Sequence, residues 1–314
     1  MLMLILIIKS TRIMNSIFPV SKTCELKDNR ILSYYEFGDP NGLPVLYFHG
    51  FPGSGAEGRF IHPFAQKEGF RVIAPSRSGM GKSTFYSPRK LVDWPQDVIQ
   101  LADFLEIEEF SILGISGGAP YALVCGRYLP VERLKGIITI SGVAPIDNDL
   151  HGIEPLFRIG LRLGRLSKKL MSFGLWMFLT RRYNTENKAL KATIRDVRSF
   201  SEKDRFIFQN RENIEIYSRL MYEAFMHGTR PVTEDASIYL SPWGFNLSEI
   251  NPKIPIEIWH GESDEILPYS MAIKLAGQIK HANLSLFADE GHLSTVFYNT
   301  SILVERIKQF FKEA

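Results

Sequence analysis

The chain has 314 residues, of which 45% are hydrophobic and 23% charged, and its formal net charge is +3. That length suits one large domain, or a domain carrying an insertion, with a full core, and so small a charge is no sign of a nucleic-acid partner. Two cysteines without CxxC spacing, Cys24 and Cys125, exclude a disulfide framework and point to a reduced, cytoplasmic setting.

The opening run MLMLILII is too short to span a bilayer, and no basic start or small-residue cleavage site marks it as a secretory signal. Residues 1–20 read as an N-terminal extension that is disordered, strand-like, a mis-assigned start before Met14, or a weak membrane anchor. Ile31–Phe37 alternates loosely and meets Gly38-Asp39-Pro40-Asn41-Gly42, which predicts an early hairpin. Continuous apolar runs follow at Val45–Phe48, Arg71–Ala74, Phe110–Ile115, Leu134–Ile140, Ile254–Trp259 and Leu284–Phe287. Runs without alternation suit strands buried on both faces of a parallel sheet. Helical stretches lie between them: Val92–Leu105, opened by Asp93 as cap and Pro95, another after Ser116, and a last from about Leu293 to Phe311. The predicted fold class is therefore α/β, a mostly parallel central sheet flanked by helices.

Residues 146–230 break this rhythm and read as a helical cap or lid between two core parts, 21–145 and 231–314. From 150 to 230 there are 16 Lys/Arg against 8 Asp/Glu, a net +8 that leaves −5 for the rest. Solvated helix faces explain such a charge, and so does a negative or interfacial partner. Leu170–Leu179, flanked by Lys168-Lys169 and Arg181-Arg182, cannot cross a bilayer. It either roofs an apolar pocket or rests peripherally on a membrane surface. Phe157, Leu161, Leu163, Phe173, Trp176 and Phe178 are the candidate substrate-binding wall, although the same residues also suit packing between helices.

Gly114-Ile115-Ser116-Gly117-Gly118 fits G-x-S-x-G where an apolar strand meets a helix. Such a corner holds a serine hydroxyl in front of the sheet and needs neighbours without bulk, while the Gly117 N–H points to where an oxyanion would form. A serine needs a base. His62, His151, His227 and His281 have no motif around them, and His49 and His260 read as structural turns after strands. His292, in Asp289-Glu290-Gly291-His292 after the last strand, can reach the C-terminal edge of the sheet. For the acid, Gly261-Glu262-Ser263-Asp264-Glu265 offers three carboxylates; Asp264 is the choice, with Glu262, Glu265 and the remote Asp147 open.

The order Ser116, Asp264, His292, together with His49-Gly50-Phe51-Pro52-Gly53-Ser54 and Gly291-His292, resembles the α/β-hydrolase superfamily in its lid-bearing, esterase-like branch. That resemblance extends over nearly all of residues 31–314 and implies a catalytic triad of those three residues. It also implies a second oxyanion N–H from Phe51 beside that of Gly117. Ser76-Arg77-Ser78-Gly79 departs from the Asp-Arg-Pro-Gly-like start usual in relatives. The Gly81-Lys82-Ser83 that follows is not a phosphate-binding loop, which needs glycine where Ser76 stands. The expected activity is hydrolysis of a small or medium apolar ester through an acyl-enzyme, with neither metal nor organic cofactor. Lactone, thioester, peptide or C–C cleavage, perhydrolysis, acyl transfer and a non-enzymatic ligand receptor stay open, as does the oligomeric state.

Overall fold

The computed structural model describes residues 18–146 and 150–312; residues 1–17 of the expected extension and Asp147 lie outside them. Among the described residues, eight strands form one sheet in the order β1-β2-β4-β3-β5-β6-β7-β8. They are β1 (Lys22–Glu25), β2 (Ile31–Gly38), β3 (Leu43–Phe48), β4 (Phe70–Pro75), β5 (Phe110–Ile115), β6 (Leu134–Ile140), β7 (Ile256–Gly261) and β8 (Ala282–Phe287). All pairings from β4 to β8 are parallel, whereas β1 and β2 add antiparallel at one edge. β5 is buried at all six positions, as expected for an apolar strand covered on both faces.

One face of the sheet packs Trp94, Leu101, Tyr121, Leu123 and Leu275, and the other packs Ala65, Leu220, Leu303 and Phe310. The helices on the first face include α1 (Trp94–Phe104) and α2 (Ala119–Tyr128), and α3 (Thr300–Phe310) covers the second. Asp93 precedes α1, but its carboxylate accepts from the Lys90 N–H and makes no cap bond to the helix. The predicted C-terminal helix is broken at Asn299 into Ser294–Tyr298 and α3.

The expected hairpin at Gly38–Gly42 is not formed. The chain does turn there, with the Gly42 N–H donating to the Asp39 carbonyl, but β4 lies between β2 and β3. Skipping one strand covers about 10 Å, within reach of the connecting residues 39–42. An apolar β3 gains more from two parallel neighbours than from a solvent-facing edge. The hairpin that does form joins β1 and β2 around residues 26–30.

Between β6 and β7 the chain is helical, from Pro155–Leu166 and Lys168–Leu175 to Glu202–Ile207, Arg211–Phe225 and Arg230–Tyr239. One buried carboxylate ties the last of these helices to the sheet. Asp235 accepts from Arg77 Nε at 3.0 Å, Arg89 Nη2 at 2.5 Å and the Tyr121 hydroxyl at 2.5 Å. Burial opposes its ionisation, but the two guanidiniums hold it well below the usual carboxylate range. Arg77 also donates to the carbonyls of His49 at 2.6 Å and Gly50 at 2.7 Å. Asp235→Ala would leave two buried guanidiniums without their counter-ion, so a loss of about 3–5 kcal/mol is expected in urea unfolding.

Candidate active site

Ser116 stands where β5 ends, with φ at +51°, a left-handed backbone rarely taken by a residue with a side chain. The corner leaves no room around it. A Cβ on Gly118 would lie 2.1 Å from the Phe48 carbonyl oxygen, and one on Gly117 would lie 2.6 Å from Phe51 Cβ. The glycines are thus required by the close approach of the 48–51 backbone. That approach brings the Phe51 and Gly117 backbones together beside Ser116; Phe51 N lies 3.1 Å from the Gly117 Cβ position. Tyr239 adds a further tie, its hydroxyl donating to the Gly117 carbonyl at 2.9 Å.

His49 shapes this loop from beneath. Its Nδ1 bonds the Gly50 carbonyl at 2.8 Å and its Nε2 accepts the Arg77 N–H at 3.2 Å. Complete burial, aided by the Arg77 charge, pushes its pKa well down, so the ring is neutral with its proton on Nδ1.

His292 and Asp264 meet across the loops after β8 and β7. Nδ1 of His292 lies 2.7 Å from Asp264 Oδ2, and Asp264 Oδ1 accepts the N–H groups of Ile266 and Leu267 at 2.8 and 2.9 Å. Burial works against the charge on Asp264, but His292 and a contact from His260 Nε2 at 3.1 Å hold the carboxyl well below its ordinary range. Burial would likewise depress His292; the facing Asp264 reverses this, and Asp204 and Glu57 add to it, so its pKa is raised. His292 and Ser116 line one cavity, in which Glu57 and Tyr217 also stand.

Two contributors carry no sequence signal. His260, read as a turn residue, is the second neighbour of Asp264. Asp204, in the first turn of Glu202–Ile207, accepts three successive backbone N–H groups, of His292, Leu293 and Ser294, at 2.9–3.0 Å. Spacing cannot reveal a pairing across 88 residues.

Of the candidate wall residues, Phe157 and Phe178 line an apolar cavity of about 200 Å³ with Ser116, Gly117 and Phe51. Leu161 points instead into the core and is 2% exposed. Phe173 and Trp176 pack on each other, 55% and 44% exposed, and stand outside that lining. The expected Leu163 lines it as well, and Met171, Leu175 and Leu179 join it at four-residue spacing from the next helical stretch. Among the described residues no group of three or more His, Cys, Asp or Glu has the geometry of a metal site.

A family model described as alpha/beta hydrolase fold matches residues 44–297. A bifunctional esterase/perhydrolase of Acinetobacter calcoaceticus is 32% identical over 123 residues, 38% of this chain and 44% of that protein. A proline iminopeptidase of Neisseria gonorrhoeae is 30% identical over 106 residues, 33% of this chain and 34% of its own. The matched stretch thus spans less than half the length of either curated relative. Among solved structures, an esterase from Exiguobacterium antarcticum superposes with a TM-score of 0.65 at 16% identity, covering 93% of this chain and all of that one. A meta-cleavage product hydrolase from Pseudomonas fluorescens gives 0.61 at 22% identity, covering 95% and 98%. At these identities the superpositions speak for the fold.

Asp204→Ala strips the acceptor from three N–H groups, two of them on buried residues. It is expected to cost about 2–3 kcal/mol in urea unfolding and to speed amide exchange at residues 292–294.

Proposed function

The chain belongs to the alpha/beta hydrolase fold family, and from that premise we propose that it is a serine hydrolase cleaving a small or medium carboxylic ester with an apolar part. The observation that carries this is the 2.7 Å contact of Asp264 with His292, which lines one cavity with the left-handed Ser116. With its Nδ1 proton directed at Asp264, the imidazole keeps Nε2 as the basic nitrogen. His292 takes the Ser116 proton as the oxygen attacks the ester carbonyl, and Asp264 stabilises the imidazolium. The N–H groups of Phe51 and Gly117 hold the oxyanion, an effect worth about 3 kcal/mol per donor. His292 then protonates the leaving alcohol, and water repeats the sequence on the acyl-enzyme. The apolar wall containing Phe157 and Phe178 favours an ester over a charged substrate.

A fluorophosphonate probe is expected to label the wild type and to leave Ser116→Ala unlabelled, with p-nitrophenyl ester turnover reduced on the order of 10⁴-fold or more. Equal labelling of both proteins overturns the reading. The base must be neutral to act, and the folded protein raises its pKa above the ordinary 6.5. Activity should therefore rise with pH through a single ionisation above 6.5. In Asp264→Asn that ionisation moves down, and kcat falls by about 10³–10⁴-fold.

The same reading extends to a membrane-facing mouth. Residues 155–185 carry seven Lys/Arg and no Asp or Glu. Leu156, Ile159, Leu166, Leu170, Phe173, Trp176, Met177 and Phe178 are exposed there, and three of them, Leu156, Ile159 and Phe178, also line the apolar cavity. An apolar surface ringed by cations suits an anionic lipid interface delivering an apolar ester. Among the described residues no helix is long and apolar enough to cross a membrane. Lys168 and Arg182 are engaged with Glu234 and Asp196, so the exposed Arg162, Lys169 and Arg181 are the positions to reverse. Their triple change to Glu is expected to abolish co-sedimentation with phosphatidylserine vesicles while p-nitrophenyl acetate turnover persists. Unchanged sedimentation removes the membrane contact.

A further inference from the structure

Ser116 stands at the junction of two cavities. Phe51, Pro52 and Ile266 join it in lining both, but His292 lines only the second, smaller one of about 100 Å³. In ester cleavage the atom that receives the proton of His292 is the leaving oxygen, so the alcohol extends on the His292 side. The larger apolar cavity is left to the acyl chain.

The smaller cavity is not uniformly apolar. Phe60, Phe200 and Phe297 contribute rings, yet Glu57 and Tyr217 stand in the same wall. Glu57, 8% exposed, accepts the Tyr47 hydroxyl on Oε1 at 2.9 Å. It also accepts one shared Gly50 N–H on Oε1 and Oε2 at 3.1 and 3.0 Å. Oε2 thus receives only the Gly50 N–H, and since a carboxylate offers about four acceptor positions it keeps a free one. Tyr217 has no hydrogen-bond partner among the described residues for its hydroxyl. Burial and the Glu57 charge push its pKa up, so the phenol keeps its proton and remains a donor. A buried acceptor and an unused donor beside a cavity fit one group that both gives and takes a hydrogen bond, which is a hydroxyl.

We propose that this cavity is the leaving-alcohol subsite, and that Glu57 and Tyr217 select an alcohol bearing a second hydroxyl. The assignment rests on the serine-hydrolase reading above. The ligand hydroxyl donates to Glu57 Oε2 and accepts from Tyr217, while the ester oxygen faces His292.

The test compares ethyl hexanoate with 2-hydroxyethyl hexanoate. The wild type is expected to favour the hydroxyethyl ester in kcat/KM by about tenfold or more, since a hydrogen bond to a carboxylate is worth at least as much as a neutral one. In Tyr217→Phe and in Glu57→Gln that ratio should fall towards one. Merely structural roles would slow both esters alike and leave the ratio intact, which would overturn the proposal. A wild-type ratio near one, with turnover present, also overturns it and leaves the hydrolase reading standing. Binding of both esters to Ser116→Ala, measured by calorimetry, separates the two ideas. Several-fold tighter binding of the hydroxyethyl ester, lost in the double variant with Tyr217→Phe, supports the subsite even if the wild type fails to take a fluorophosphonate. Equal affinities overturn it.

Discussion

The geometry of the site depends on the charge of Asp235. Two arginines from the loops after β4, Arg77 and Arg89, are buried with it, and neither has another carboxylate in reach. Once neutralised, Arg77 can turn its remaining N–H groups to the His49 and Gly50 carbonyls, fixing the backbone that carries Phe51. The same helix bears Tyr239, one turn on, whose hydroxyl holds the carbonyl of Gly117. A single ion cluster thus sets both backbone segments beside Ser116. Buried ion pairs of this kind add little net stability compared with apolar packing, but removing one member is severe, so they enforce a specific arrangement.

On the opposite side of the serine, desolvation and charge compete. Asp264 and His292 are both buried, and burial alone would neutralise each. Their mutual field wins because the contact is short and because Asp264 is fully surrounded by donors, from Ile266, Leu267 and His260 as well as His292. Asp204 reaches in from the helical segment to pin the backbone of residues 292–294. The segment between β6 and β7 therefore does more than cover the cavity: its residues 204, 235 and 239 hold both halves of the site in register.

Much of the fold was legible because buried parallel strands write themselves as unbroken apolar runs. The bounds of β5 and β6 fall where the runs at Phe110 and Leu134 begin and end. β1, with three of four residues exposed, has no such run and leaves no apolar mark in the sequence. The connection at 39–42 looked like a hairpin because local turn chemistry is the same whether the next strand pairs directly or after a gap. Phe157 and Phe178 face the cavity while Leu161, Phe173 and Trp176 do not. Periodicity tells which residues share a helix face, but not which neighbour that face meets.

What is local can be read along the chain: a serine flanked by glycines at a strand-to-helix corner, a histidine after the last strand, and a carboxylate loop after the strand before it. These are legible because backbone crowding and strand burial constrain residues close together in the chain. Which carboxylate of Glu262, Asp264 and Glu265 meets His292, and that Asp204 and Asp235 would brace the backbone on either side of Ser116 while Glu57 lines the cavity beside it, emerged only in the folded chain. Those pairings join residues far apart along the chain, and the free energy of bringing a charge to its partner in the interior belongs to the assembled fold rather than to any stretch of it.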